Sequence, residues 1–332
     1  MFNYSKMMFM IMIIASTMLT ISSSNWMGMW MGMEMNLMSF IPFISKNKNL
    51  KSSRAMMIYF LVQSIGSIMF LFSVLMNSFI MMTPIMMNEF IKTMMIIGLL
   101  IKLGMAPFHS WLPEMMMNLK WTEMMIMMTW QKLAPMFTLS NLMNNWSMYM
   151  SIMMSTIIGA IGGLNTTSIQ KILAYSSINH MSWMMIMMMM QTQWIMYLMI
   201  YSITVLLLCW MMMMYNSYFI NQISMMNESM IEKFTYSTLM LSMGGMPPFL
   251  GFLPKWMTIQ TMMNTNMIIM MTIMIMMSLL TLFYYMRMIS SLMLLYSTMN
   301  KWMKTNTCNT MILSSMLTIN FSLPAYSITS FF

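Results

Sequence analysis

The sequence predicts an all-α polytopic membrane protein, and three observations lead there. Hydrophobic residues make up 60% of the 332 positions and charged residues only 6%. Mean hydropathy is +0.72. Apolar stretches, each long enough to cross a bilayer at about 20 residues, recur from end to end. A soluble domain carries about a quarter charged residues, and a chain with so few cannot clothe its surface for water. The composition therefore reads as one helical bundle, not a soluble domain with an anchor.

About eleven spans follow by hydropathy, near 7–22, 25–44, 55–78, 88–107, 121–143, 147–165, 168–190, 193–215, 235–261, 266–291 and 307–326. The first follows Lys6 and resembles a signal peptide. It runs into the second after only Ser22–Asn25 and shows no small-residue cleavage site, so it is kept as a helix. The longest polar stretch, Tyr215–Lys233, reads as a linker without a domain of its own.

The 71 methionines are spread through every apolar segment, as in Met184–Met190 and Met211–Met214. Thioethers can bind Cu(I), but the scatter favours methionine as a flexible apolar filler. A genetic code that reads an isoleucine codon as methionine produces this pattern, and many animal mitochondria use one. Cys209 and Cys308 are too few for an iron–sulfur site or a disulfide framework, and Asp is absent. No Walker A sequence, HExxH or GxGxxG after a strand occurs. The chain is expected to bind no nucleotide, flavin, cluster or zinc. Its net charge of +9 suggests nucleic acid, but in a membrane protein it reads as topology.

With eleven spans, one side receives Lys6, Lys46, Lys48, Lys51, Arg54, Lys120, Lys171, Lys233, Lys301 and Lys304. The other has short loops with Glu89, and Lys92 as its nearby basic residue. The positive-inside rule then places the N-terminus inside and the C-terminus outside.

Four ionisable residues fall near the middle of spans: Glu34, Lys102, Lys132 and Lys255. A charge at mid-bilayer costs about 2.5–3.5 kcal/mol on insertion scales. Three isolated lysines would thus cost about 7–10 kcal/mol, comparable to the stability of a small domain. Snorkelling suits Lys92, Lys171 and Arg287, near span ends. It does not suit Lys132, expected roughly 15 Å from either end of its span, and Lys102 is read with it as lying inside its span. Such charges call for a hydrated interior or acidic partners. Burial disfavours the charged form of a lysine and an adjacent carboxylate favours it, so a lysine whose carboxylate moves is a proton switch.

Helix breakers stand beside each of these lysines. Gly104 and Pro107 follow Lys102, Pro135 follows Lys132, and Gly244-Gly245-Met246-Pro247-Pro248 precedes Lys255. Broken helices are tolerated in a membrane where they line a cavity, and a simple packing kink is the alternative. His180 falls mid-span with Ser176, Ser177 and Asn179 within a turn. It reads either as a satisfied core residue or as a relay. His109, at a span end, reads as structural. The stretch GMAPFHSWLP at 104–113 matches GMPPFLGFLP at 245–254, which suggests inverted repeats with halves 1–143 and 147–291 and an added C-terminal helix at 307–326. This register does not superpose Lys102 on Lys255.

The segments NWMGMWMGMEMNLMSFIP, KLGMAPFHSWLPE, TWQKLAP, GAIGGLNTTSIQKILAYSSINHMSW and LSMGGMPPFLGFLPKW carry a resemblance that runs nearly end to end. The chain resembles the subunit 2 family of mitochondrial NADH dehydrogenase, in the membrane arm of respiratory complex I, and looks like an insect or other arthropod form. Its length suits subunit 2 over the longer subunits 4 and 5. The 216–232 linker and the C-terminal tail match no strong family motif.

That family is similar to subunits of cation/proton antiporters. The resemblance implies an antiporter-like bundle with discontinuous helices, lacking the first helices of bacterial relatives. It implies that Glu34 and Lys102 form a first charge pair, Lys132 a central relay and Lys255 a terminal lysine, with His180 between the last two. It implies no cofactor in this chain, with NADH, FMN, iron–sulfur clusters and ubiquinone bound by other subunits. Membrane lipids, protons and the neighbouring subunits 4 and 4L are the implied partners, and nucleic acid is not. The implied location is the mitochondrial inner membrane, with the N-terminus on the matrix side and the C-terminus facing the intermembrane space. Function is expected to be proton translocation coupled to electron transfer elsewhere. A sodium/proton antiporter is the alternative, and a purely structural bundle a third reading.

Overall fold

A computed structural model describes residues 4–45, 49–79, 86–142, 146–224, 230–294 and 310–323. Lys46, Lys48, Lys301, Lys304, Cys308, the C-terminus, part of the 216–232 linker and both ends of the predicted 307–326 helix lie outside the described residues. Helix accounts for nearly all the rest. The one β-bridge among the described residues joins Ser168 to Phe219.

The helices are α1 (Tyr4–Ser22), α2 (Trp26–Ser45), α3 (Leu50–Phe79), α4 (Met86–Leu103), α5 (Trp111–Met117), α6 (Trp121–Met128), α7 (Leu133–Ser140), α8 (Trp146–Gly162), α9 (Ile169–Met189), α10 (Trp194–Tyr215), α11 (Ile220–Ser224), α12 (Met230–Gly244), α13 (Phe252–Asn264), α14 (Ile268–Leu294) and α15 (Thr310–Asn320). Every predicted apolar stretch contains helix among the described residues. Two of them are not continuous. The 121–143 stretch breaks into α6, a 3-10 turn at Trp130–Lys132 and α7, and the 235–261 stretch breaks into α12 and α13. Two short helices, α5 and α11, were not expected; α11 falls inside the predicted linker.

Among the described residues four helices are long and apolar enough to cross a membrane: Tyr4–Ser22, Leu50–Asn77, Trp194–Tyr215 and Ile268–Ser290. They present large apolar side chains outward, among them Ile11, Phe60, Ile68, Met199, Leu279 and Phe283. α9 shows the complementary pattern. Only Lys171 and Tyr175 in it escape burial, yet it carries Ser176, Ser177, Asn179, His180 and Ser182. A helix against lipid must be apolar, whereas one surrounded by protein can carry polar groups that find partners there.

The helices group into two units, residues 1–155 and 156–332. In the first, α1 and α2 form a hairpin, α3 packs on α2, α4 and α5, and α7 lies against α1, α2 and α4. α3 and α4 approach closely. A Cβ built on Gly98 would stand 2.9 Å from the Gly66 carbonyl oxygen, and one on Gly66 would stand 3.0 Å from that of Gly98. Small residues let membrane helices approach this closely without a hydrophobic drive between them. In the second unit, α9 packs against α10, α13 and α14, and α12 packs against α10, α14 and α15. Arg287 of α14 donates to the carbonyls of Leu164 and Thr166 just beyond the end of α8. It is half-buried and fastens two segments, more than the snorkelling role expected for it.

The same turn ends α4 and α12. Met105 N–H donates to Leu100 O at 3.1 Å and Gly104 N–H to Ile101 O at 3.2 Å; Met246 N–H donates to Leu241 O at 3.2 Å and Gly245 N–H to Ser242 O at 3.0 Å. Gly104 has φ +70° and Gly245 φ +79°. This is the Schellman ending, in which the left-handed residue is normally glycine because a Cβ is disfavoured there. The matching segments at 104–113 and 245–254 therefore share a local structure: a helix stop, a turn, then a new helix with proline in its first turn.

Gly98→Val should separate α3 from α4, at an overpacking cost of about 1–3 kcal/mol. Thermal unfolding of the purified assembly should show the loss, and Met57→Leu on the outward face of α3 should leave stability near wild type.

Candidate functional site

In the first unit the candidate site is built where helices stop. α4 ends one residue after Lys102, so this lysine occupies the last helical turn and not mid-span as expected. The cause is the left-handed Gly104. Carbonyls in a last turn lack helical donors, and a cation is favoured beside them. Lys132 closes the 3-10 turn between α6 and α7. Pro135 has no N–H, so the carbonyl of Gln131 four residues back receives no helical bond from it. Both lysines are buried, Lys102 at 5% exposure and Lys132 at 4%.

Glu34 lies midway along α2, and its carboxylate stands 3.7 Å from the Lys102 ammonium. That is an ion-pair separation, longer than a charge-assisted hydrogen bond. The lysine side chain is 2% exposed and the glutamate side chain 24%. A Cβ on Gly66 would stand 3.0 Å from Lys102 Cγ, so the aliphatic stem of the lysine runs over that glycine.

Lys102 and Lys132 line one cavity of about 20 Å³ together with Asn36, Tyr59, Gln63 and Gln131. That volume suits about one water molecule. Asn36 and Gln131 exchange two hydrogen bonds, Asn36 Nδ2 to Gln131 Oε1 at 2.9 Å and Gln131 Nε2 to Asn36 Oδ1 at 3.0 Å. Tyr59 donates its hydroxyl to the same Gln131 oxygen at 3.3 Å. Gln63 donates to the Lys102 carbonyl at 3.0 Å, which satisfies one of the exposed acceptors at the end of α4.

In the second unit, Lys255 lies in the first turn of α13 and is buried. Its ammonium reaches back across the break to donate to Gly244 O, the last carbonyl of α12, at 2.7 Å. A Cβ on Gly245 would stand 2.9 Å from the Lys255 Nζ, so the second lysine also passes over a glycine. His180 is buried in α9. Its Nδ1 lies 3.0 Å from the Tyr197 hydroxyl, and its ring lies 5.0 Å from that of Tyr201, one turn further along α10.

Residues 23–281 match the NADH:quinone oxidoreductase/Mrp antiporter transmembrane family. NADH-ubiquinone oxidoreductase chain 2 of Anopheles gambiae is 42% identical over 96% of this chain and 94% of its own. The chain 2 proteins of Locusta migratoria and Loxodonta africana are 40% and 38% identical, over 94% and 93% of this chain and 92% of each of their own. The chain belongs to the NADH-ubiquinone oxidoreductase chain 2 family.

Solved structures extend the likeness of this chain 2 family member to the fold. A chain of respiratory complex I from Thermus thermophilus superposes with a TM-score of 0.78 at 16% identity, over 96% of this chain and 76% of that one. A chain of the Mrp complex from Dietzia gives 0.77 at 14% identity, over 85% and 59%. The fold is thus an antiporter-like helical membrane fold.

Of the residues singled out from the sequence, Glu34, Lys102 and Lys132 are gathered in the first unit, while Lys255 and His180 lie in the second. The polar residues around the cavity escaped notice because they are uncharged. Asn36 stands two residues from Glu34, and Gln131 adjoins Lys132, which was the available signal. Glu123 was also missed. It is fully buried, 3.3 Å from Lys6, and its second oxygen accepts from Lys120 N–H at the start of α6. Lys6 also stands 5.2 Å above the Phe43 ring. Lys233, expected in a linker, is buried in the first turn of α12 beside buried Glu232. Among the described residues no cluster of three His, Cys, Asp or Glu side chains could hold a metal.

Glu34→Gln should destabilise the first unit by leaving Lys102 buried beside a neutral amide. The loss should fall below the about 3–5 kcal/mol of a fully buried pair, because the glutamate is partly exposed. Thermal unfolding of the assembly containing Glu34→Gln, Lys102→Met and the double variant should show a smaller loss for the double than the sum of the singles.

Proposed function

We propose that this chain is a core subunit in the membrane arm of mitochondrial respiratory complex I and carries protons through the membrane. The observation that supports the reading most directly is the cavity shared by Lys102 and Lys132, with Glu34 as counter-charge to the first. A proton held on Lys102 is stabilised by Glu34. When that pair loosens, the ammonium loses its compensation and the proton passes through the cavity toward Lys132. His180 serves as a relay and Lys255 as the terminal lysine in the second unit. Lys102 stands in the last turn of α4 and Lys255 donates to the last carbonyl of α12, so backbone carbonyls share in stabilising these two charges.

Electron transfer from NADH to ubiquinone belongs to other subunits. FMN and the iron–sulfur clusters are held there, and this chain binds no cofactor. It crosses the inner membrane about eleven times, with inverted repeats over 1–143 and 147–291 and a C-terminal helix at 307–326. The repeated helix stop at Gly104 and Gly245 supports the repeat. The N-terminus lies on the matrix side and the C-terminus in the intermembrane space. Subunits 4 and 4L flank it, and membrane lipids cover its remaining outer face. The second reading is cation/proton exchange, supported by the fold shared with a chain of an Mrp complex. Sodium movement by the chain reconstituted alone would favour it.

Lys132→Met and Lys255→Met keep apolar bulk and delete the titrating group. Protons translocated per NADH oxidised should fall in both while the complex still assembles. Lys301→Met, in a loop by the sequence reading, is the control and should leave the ratio unchanged. Normal assembly with a wild-type ratio in both axis variants would show these lysines to be structural.

A further inference from the structure

The segment that carries Lys132 is interrupted, and an interrupted segment needs its orientation fixed from outside. Three neighbouring helices do so. Trp130 Nε1 donates to Thr17 Oγ1 of α1 at 3.2 Å. Gln131 exchanges two hydrogen bonds with Asn36 of α2, and Tyr59 of α3 donates to the same Gln131 oxygen. Asn36 and Gln131 are both buried and both line the cavity between Lys102 and Lys132. They are 95 positions apart in the chain, so their reciprocal pairing is a tertiary constraint. It ties the helix that carries Glu34 to the turn that carries Lys132.

Two properties of a carboxamide pair matter here. Each amide satisfies a donor and an acceptor of the other, so the pair has one preferred geometry and holds the turn in register. It also offers polar surface to water without adding a charge. A carboxylate in the same place would hold an adjacent lysine as a fixed ion pair, and an aliphatic side chain would dry the cavity.

We propose that Asn36 and Gln131 are a positioning pair: they hold Lys132 toward the cavity it shares with Lys102 and keep that cavity polar but uncharged. The proposal rests on the proton-transfer reading above. Its consequence is that the pair is replaceable by another reciprocal amide pair, but not by its parts.

The experiment measures protons translocated per NADH oxidised, together with assembly, in the intact complex. The variants are Asn36→Leu, Gln131→Leu, Gln131→Glu, Gln131→Asn and the exchanged pair Asn36→Gln with Gln131→Asn. Lys132→Met runs in parallel. The expected result is a lowered ratio in both leucine variants and in Gln131→Glu, a lowered ratio in Gln131→Asn, and recovery in the exchanged pair. Wild-type ratios in the assembled leucine variants, with Lys132→Met impaired, would overturn the positioning role and leave the proton-transfer reading standing. Wild-type ratios in Lys132→Met as well would overturn both. If the leucine variants fail to assemble, the asparagine comparison decides: an exchanged pair no better than Gln131→Asn alone overturns the proposal.

Discussion

A lysine ammonium inside a helical bundle needs acceptors, and an unbroken helix has none to spare. Every interior carbonyl of a regular helix is already bonded, and the membrane supplies no water to replace it. The buried lysines of the site are therefore found where helices stop. Lys102 occupies the last turn of α4, Lys132 the turn between α6 and α7, and Lys255 reaches back to the final carbonyl of α12. Much of the architecture follows from this constraint. The left-handed glycines that end α4 and α12 leave the Lys102 and Gly244 carbonyls to side-chain donors, Gln63 and Lys255, and the absence of a side chain at Gly66 and Gly245 leaves room for the lysine stems.

The division between lipid-facing and interior helices follows from the same physics. α1, α3, α10 and α14 are apolar enough to meet lipid. α9 is less apolar and more buried, and its serines, Asn179 and His180 sit among protein neighbours. Polar groups are thus placed where partners exist, and the apolar belt is left to the outer helices. A bundle arranged in this way can keep titratable groups at depth without exposing them to lipid.

Much of this was legible in the sequence. The apolar stretches became helices, and the lysines flanked by glycine and proline proved to stand at helix breaks. What remained hidden was of two kinds. Uncharged polar residues such as Asn36, Tyr59, Gln63 and Gln131 look ordinary in a one-dimensional reading, because their role comes from partners about 40 to 95 residues away. Lys6 and Lys233 were read as charges outside the spans, yet Lys6 pairs with the unnoticed Glu123 at the start of α6, and Lys233 is buried in α12. Hydropathy sees composition along the chain. It does not see that a helix end can be covered by another helix. The 235–261 stretch read as one span for the same reason, since average apolarity does not register a turn at Gly245.

The central claim is that Lys102 and Lys132 communicate through water in a cavity inside the first unit. An experimental structure of the assembled complex, at a resolution that reveals ordered water, tests it most directly. The account predicts a water molecule in that cavity within hydrogen-bond distance of the Lys132 ammonium, with Lys102 still facing Glu34. A dry cavity closed by aliphatic side chains, with the Lys132 ammonium turned away from Lys102, would contradict it.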